Sequence, residues 1–211
     1  MAVDIQVLGE NEAMKTTCGA LILAGGRGRR MGGKNKALLH LEEKTFFERL
    51  CTALDGFEEK ILSANDPEWI TDGTYLLVRD ERSDCGPMEG LRRALTCCES
   101  DALFVTACDM PFITAEFAKT LVKAAEGHDA LICCDRAGGL HPLCGVYTKA
   151  CLPVIEALME KNDYRIRRIA AETDCVTFYM EETDFPDRIL TNVNTLEELE
   201  QLSGSEQKTS E

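Results

Sequence analysis

The stretch Leu21-Ile-Leu-Ala-Gly25-Gly26-Arg27-Gly28-Arg29-Arg30-Met31-Gly32-Gly33-Lys34-Asn35-Lys36 combines the two residue types that hold phosphate. Glycine lets backbone N–H groups approach a ligand closely and permits positive φ. Successive free N–H groups form a concave anion site, and five lysines and arginines add full charges for phosphate oxygens. No acid interrupts the segment, although the chain as a whole carries a net charge of −14. The basic patch is therefore local, on an acidic body. A general nucleic-acid binder has a broad basic face, so the expected ligand is small and strongly anionic: a polyphosphate.

A second segment, Leu103-Phe-Val-Thr-Ala-Cys-Asp109-Met-Pro111, is an apolar run that ends on an aspartate, with a proline that stops the run from continuing as a strand. A carboxylate at a strand's carboxyl end can hold Mg²⁺, which takes one or two carboxylates plus substrate phosphates. It can equally cap the helix that starts near Thr114, and the phosphate loop favours the metal reading. In Thr191-Asn192-Val193-Asn194-Thr195, alternating asparagines put two carboxamides on a short turn. They can turn or cap the backbone, or one can complete a metal or ribose site. Asn65 and Asp80 each follow an apolar run, and Gly86-Pro-Met-Glu-Gly90 supplies a tight turn and a helix start, which favours anions. His141-Pro142 reads as pocket wall or plain turn, and Arg165, Arg167 and Arg168 as a solvated face.

Two common phosphate motifs fit less well. Gly28-x4-Gly33-Lys34 matches most of a P-loop, but Asn35 stands where Ser or Thr should reach Mg²⁺. Leu41 and the turn Glu42-Glu43-Lys44 also intervene before the next helix, which starts at Thr45. The dinucleotide fingerprint needs glycine where Met31 stands.

The elements that must position these groups alternate along the chain. Period and composition predict strands at 19–24, 59–63, 75–78, 102–107, 129–133, 143–147 and 175–180. Helices are predicted at 46–54, 87–98, 115–126, 150–160, 164–172 and 196–202. Thr45 with Glu48, and Thr195 with Glu198, fit the capping box, and Pro87 suits a first helical position. Met88, Leu91, Leu95 and Cys98 share one helical face, ready for a sheet. Such alternation argues for a mostly parallel sheet covered by helices on both faces, with ligands at the strands' carboxyl ends.

At 211 residues the chain reads as one domain over 18–202, with a loose extension at 1–17 and a polar tail at 203–211. Residues 1–17 lack the basic start and apolar core of a signal peptide. No apolar run is long enough to span a bilayer. The eleven cysteines are odd in number, show no C-x-x-C spacing and sit mostly in apolar runs. They read as buried thiols in a reducing cytoplasm rather than as a zinc site or disulfide framework. No membrane or nucleic-acid partner is expected.

Together, Leu23-Ala-Gly-Gly26, Arg30-Met-Gly-Gly33, Lys36-Ala-Leu-Leu39, Ser63-Ala-Asn65, Asp80, Gly86-Pro87 with Gly90, Cys108-Asp-Met-Pro111, His141-Pro142, Gly145-Val-Tyr147 and Asn192-Val-Asn-Thr195 resemble the MobA-like nucleotidyltransferases, in particular the molybdenum cofactor guanylyltransferases. The resemblance runs from 19 to 202. It implies a Rossmann-like, three-layer α/β nucleotidyltransferase fold with a mostly parallel sheet. It also implies Mg²⁺-dependent transfer of GMP from GTP to Mo-molybdopterin, with pyrophosphate released and molybdoenzymes or their chaperones as recipients. Leu23, Ala24, Gly25, Gly26, Gly28, Lys36, Asn65, Asp80, Gly86 and Gly90 would bind the nucleotide. Arg30, Lys36 and Asp109 would carry the chemistry, and Asp109 with Asn192 or Asn194 would hold Mg²⁺. Leu23-Ala24-Gly25-Gly26 resembles the guanylyl branch; the cytidylyl branch tends to read Ala-Ala-Gly.

The chain departs from the family pattern at Asn35, where Asp is frequent, at Met88 and bulky Glu89 after Gly86-Pro87, and at Leu196 after Thr195. Two alternatives share some of these features. One is a cytidylyl or sugar-phosphate nucleotidyltransferase; the other is a non-catalytic nucleotide-binding regulatory domain.

Overall fold

A computed structural model describes residues 17–25, 35–65, 69, 73–195 and 198. Strands β1 (Cys18–Leu23), β4 (Lys60–Ser63), β5 (Leu76–Val78), β6 (Ala102–Ala107), β7 (Ala130–Cys134), β8 (Leu140–Thr148) and β9 (Cys175–Tyr179) form one sheet, in the order β5-β4-β1-β6-β8-β7-β9, while the short β2 (His40–Leu41) and β3 (Lys44–Thr45) pair antiparallel apart from it. Only β8 runs antiparallel to its neighbours in this sheet. The chain passes from β1 outward through β4 to β5, then returns to β6 on the other side of β1. That reversal makes β1 and β6 the switch point, where open α/β sheets bind ligands.

Alternate residues of a strand face opposite sides, and here each side is covered. Ala20 and Ile22 of β1 pack with Leu62 and Phe104 against α1 (Phe46–Ala53) and α3 (Ala115–Ala124), through Leu50, Phe117 and Leu121. Leu21 and Leu23 pack with Ile61, Leu103 and Val105 against α2 (Pro87–Cys97), α4 (Leu152–Glu160) and α5 (Arg167–Glu172). Met88, Leu91, Leu95 and Cys98 all lie in this second core. The layers are therefore helices, sheet, helices.

The predicted strands are all present, β8 being longer at both ends than the run 143–147. α4 and α5 start later than predicted because a 3-10 turn, Lys149–Cys151, precedes α4 and the Asp163–Arg165 turn precedes α5. Both capping boxes form. Thr45 accepts from the Glu48 amide while Glu48 accepts from Thr45, and the Thr195 hydroxyl and Glu198 carboxylate do the same for each other's amides. The predicted helix 196–202 lies, apart from residue 198, outside the described residues.

All eleven cysteines are free thiols, and most are buried. Burial pushes the Cys108 thiol, beside Asp109, up to about 12, so it is a small apolar group at neutral pH rather than a nucleophile. Among the described residues no helix is long and apolar enough to cross a membrane.

Candidate active site

The site begins with strand register. Leu23 pairs with Ser63 and with Ala107, and Ser63 pairs with Val78. These are the last residues of β1, β4, β6 and β5, so four parallel strands end in line. Gly25, Asn65, Asp80 and Asp109 each lie two residues beyond those ends. The backbone continues the line for one more residue. The Ala24 amide donates to Ser63 O at 2.9 Å, the Ala64 amide to Val78 O at 3.1 Å, and the Cys108 amide to Leu23 O at 3.0 Å.

At the centre, Lys36 joins two segments that are distant in sequence. Its Nζ lies 2.8 Å from Asp109 Oδ2 and 2.7 Å from Asn194 Oδ1. The Val193 amide donates to Asp109 O at 2.8 Å, which fixes the asparagine turn against the Asp109 turn. Beneath the trio, Leu39, Leu41, Phe46, Phe112 and Val193 form a small separate core. Each of the three segments contributes to it, so burial of apolar surface holds the polar trio together. Asn35 has a local role: its side-chain oxygen accepts from the Ala37 amide at 3.0 Å and caps the 3-10 turn Lys36–Leu38. Asp would cap that turn as well, so this departure from the family pattern leaves the orientation of Lys36 intact.

Asp109 has one oxygen to spare. Oδ2 accepts from Lys36, while Oδ1 is buried and has no hydrogen-bond partner among the described residues. A buried acceptor left unpaired costs about 1–3 kcal/mol. An orphaned carboxylate oxygen at a strand end, beside Lys36 and Asn194, suits a hard divalent cation. No three His, Cys, Asp or Glu side chains gather as a metal site among the described residues. Such a cation would therefore take Asp109 and Asn194 from the protein and complete its shell with phosphate oxygens and water. Asn194, rather than the exposed Asn192, is the asparagine beside Asp109.

The nucleotide-binding candidates fall into three groups. Leu23, Ala24 and Gly25 lie at the β1 exit, and no described residue lies within 4 Å of where a Gly25 side chain would project. Asn65 and Asp80 form a reciprocal pair: Asn65 Nδ2 donates to Asp80 Oδ2 at 2.7 Å, and the Asp80 amide donates to Asn65 Oδ1 at 3.0 Å. Gly86 and Gly90 bracket the first turn of α2. A Cβ on Gly90 would lie 2.5 Å from Ser63 Oγ and 2.9 Å from Leu23 Cδ2, so this glycine brings α2 down onto β1 and β4. Gly86 has φ 61° and ψ −154°, a region almost reserved for glycine. Gly86→Ala is expected to lower stability by about 1–3 kcal/mol in chemical denaturation, although no described residue lies within 4 Å of the added methyl. Gly26, Gly28 and Arg30 lie outside the described residues.

Two weaker sequence candidates have structural partners. His141 Nε2 lies 2.9 Å from Asp135 Oδ2, inside β8 rather than in a turn. Arg165 and Arg168 both pair with Asp163.

Sequence reasoning missed a charge cluster behind the Asp80 turn. Glu89 is fully buried, and Arg92 is 7% exposed. Arg92 Nε donates to Glu89 Oε2 at 2.8 Å and Nη2 to Glu89 Oε1 at 2.9 Å. Burial pushes the Glu89 carboxyl up, but hydrogen bonds from Arg92 and from the Glu81 and Arg82 amides outweigh it and hold it below its ordinary value. The hydrogen bond to Glu89 likewise raises Arg92. Their i,i+3 spacing was the available signal; nothing in the sequence said that the pair faces inward.

A family model, the MobA-like NTP transferase domain, matches residues 20–176. The chain is 37% identical over 200 residues to a probable molybdenum cofactor guanylyltransferase of Methanosarcina mazei, covering 88% of this chain and 89% of that protein. It is 35% identical over 193 residues to a probable molybdenum cofactor guanylyltransferase of Clostridium perfringens, covering 87% and 94%. Its fold is similar to that of the crystal structure of molybdopterin-guanine dinucleotide biosynthesis protein A from Archaeoglobus fulgidus. The TM-score is 0.75 at 23% identity, over 90% of this chain and 98% of that one. The model spans most of the chain, and both relatives match it nearly end to end: the chain belongs to the MobA-like NTP transferase family.

Proposed function

We propose that this protein is a molybdenum cofactor guanylyltransferase: it transfers GMP from GTP to the terminal phosphate of Mo-molybdopterin and releases pyrophosphate. The observation that carries the reading is the Lys36–Asp109–Asn194 trio at the aligned strand ends, with one carboxylate oxygen of Asp109 left over. Binding alone needs fewer fixed charges than this. The names of the relatives, guanylyltransferases in both cases, supply the substrate class.

The chemistry follows from the charges. An oxygen of the pterin's terminal phosphate attacks the α-phosphorus of GTP in line, and the bond from that phosphorus to the pyrophosphate oxygen breaks. The nucleophile is already ionised, so no general base is required. Phosphoryl chemistry of this kind is mainly positioning and charge neutralisation. Gly25, with Gly26 and Gly28, would offer backbone donors to the phosphates. Lys36 and Arg30 would neutralise the attacked phosphate and the leaving pyrophosphate as fixed electrostatic stabilisers. Asp109 and Asn194 would hold Mg²⁺, which would neutralise negative charge on the phosphates. Asn65 and Asp80 would engage the nucleoside end, two residues beyond their strands and on the β4–β5 side of β1.

Guanine preference rests on Leu23-Ala24-Gly25-Gly26, where glycine backbone can approach a purine edge, and on the names of the relatives. A site that selects a base by hydrogen bonds discriminates strongly, because the wrong base leaves buried polar groups unpaired. GTP with Mg²⁺ is therefore expected to stabilise the protein more than CTP does in thermal unfolding. At a hundredfold excess over Kd the gain is about 2.7 kcal/mol. An equal or larger gain with CTP would move the assignment to cytidylyl transfer.

A further inference from the structure

Glu89 and Arg92 are the buried charged residues of the described chain. Stability does not account for them, since a hydrophobic pair of similar volume often serves a core as well or better. What Glu89 does here is reach out of α2 to the loop that follows β5. Its Oε1 accepts from the Glu81 amide at 3.0 Å and from the Arg82 amide at 3.4 Å. The preceding amide, of Asp80, is held by Asn65. Three successive amides are thus fixed from two directions, by β4's exit and by α2.

The side chains of the loop are tied down as well. Arg92 Nη2 donates to Glu81 Oε2 at 2.8 Å, and Arg93 Nη1 lies 2.8 Å from Glu81 Oε1. Glu156 of α4 accepts from Arg92 at 3.1 Å and from Arg82 at 3.0 Å. Three carboxylates and three guanidiniums close the cluster, and Asp80 faces Asn65. A carboxylate whose backbone is held this way loses little freedom on meeting a ligand.

We infer that Glu89, together with Arg92, is a positioning residue for nucleotide binding: it fixes the backbone of residues 80–82 and so presents Asp80 in one geometry. This rests on the reading above, in which Asp80 engages the nucleotide. The test compares GTP binding and steady-state kinetics in four proteins: wild type, Glu89→Gln, the double variant Glu89→Leu/Arg92→Met, and Asp80→Ala. The double variant fills the space but removes both the acceptor and the clamp. It is expected to weaken GTP binding about tenfold, the loss of one charged hydrogen bond's worth of affinity. KM for GTP should rise with it while kcat stays within about twofold, the signature of lost uniform binding. Glu89→Gln keeps a carbonyl for the two amides and is expected to stay within about threefold of wild type.

A double variant that melts earlier but binds GTP as wild type does, alongside a weakened Asp80→Ala, overturns the inference alone. An Asp80→Ala protein with unchanged GTP affinity overturns the Asp80 reading and the inference with it. Amide hydrogen exchange on the nucleotide-free wild type decides the matter even if the double variant does not fold. The Glu81 and Arg82 amides should be protected, and exchange at the rate of an unstructured chain overturns the proposal.

Discussion

Asp109→Asn is expected to lower turnover by about 10²–10³-fold, on the scale of removing one preorganised electrostatic group from a transition state, while the unfolding temperature stays near that of wild type. The substitution keeps the shape of the side chain and an oxygen to accept from Lys36. It removes the charge, and it turns one oxygen position into an N–H₂ donor. If that donor takes the place of Oδ1, it points where a cation should sit. Mg²⁺ titration of the two proteins, with GTP present, should show a clear loss of affinity in the variant. Equal Mg²⁺ affinity in both would remove Asp109 as the metal-binding carboxylate.

Lys36→Ala is expected to lower turnover by about 10²-fold or more while the fold is kept. Lysine here is a point charge on a flexible stem, tethered by Asp109 and Asn194 and held over a capped turn. Its loss leaves Asp109 Oδ2 and Asn194 Oδ1 without their donor, at a cost of about 1–3 kcal/mol in stability. The two variants should differ in one respect. Without the ammonium, Asp109 and Asn194 remain free to meet a cation, so Mg²⁺ affinity should survive in Lys36→Ala and fall in Asp109→Asn. A folded Lys36→Ala protein with wild-type turnover would take the lysine out of the mechanism.

Much of this architecture could be read before any coordinates. Strand and helix periods are local signals, and the runs around Leu21, Val105 and Ile132 are apolar enough to leave little choice. Asp109 stands out because it ends an apolar run on a carboxylate, whereas Lys36 is one of five cations in the glycine loop and is singled out by the family resemblance. What the sequence could not show was register. That Leu23, Ser63, Val78 and Ala107 end in line, and therefore that Gly25, Asn65, Asp80 and Asp109 sit equally far beyond them, depends on non-local pairing. The direction of β8 was hidden for the same reason. So was the choice between Asn192 and Asn194, since alternation puts both on a turn and only the Val193 amide's bond to Asp109 sets which one faces Lys36. Glu89 was the largest omission. A glutamate in the first turn of a helix ordinarily faces water and favours the helix dipole, and nothing local marks this one as buried.

The most direct test of the account is transfer itself. Purified protein mixed with GTP labelled at the α-phosphorus, Mo-molybdopterin and Mg²⁺ should move the label into a pterin dinucleotide and release one pyrophosphate per transfer, with CTP, ATP and UTP far slower. Label that stays in GTP, with no pyrophosphate formed by a protein that binds GTP, would contradict the assignment and leave a nucleotide-binding domain without transferase chemistry.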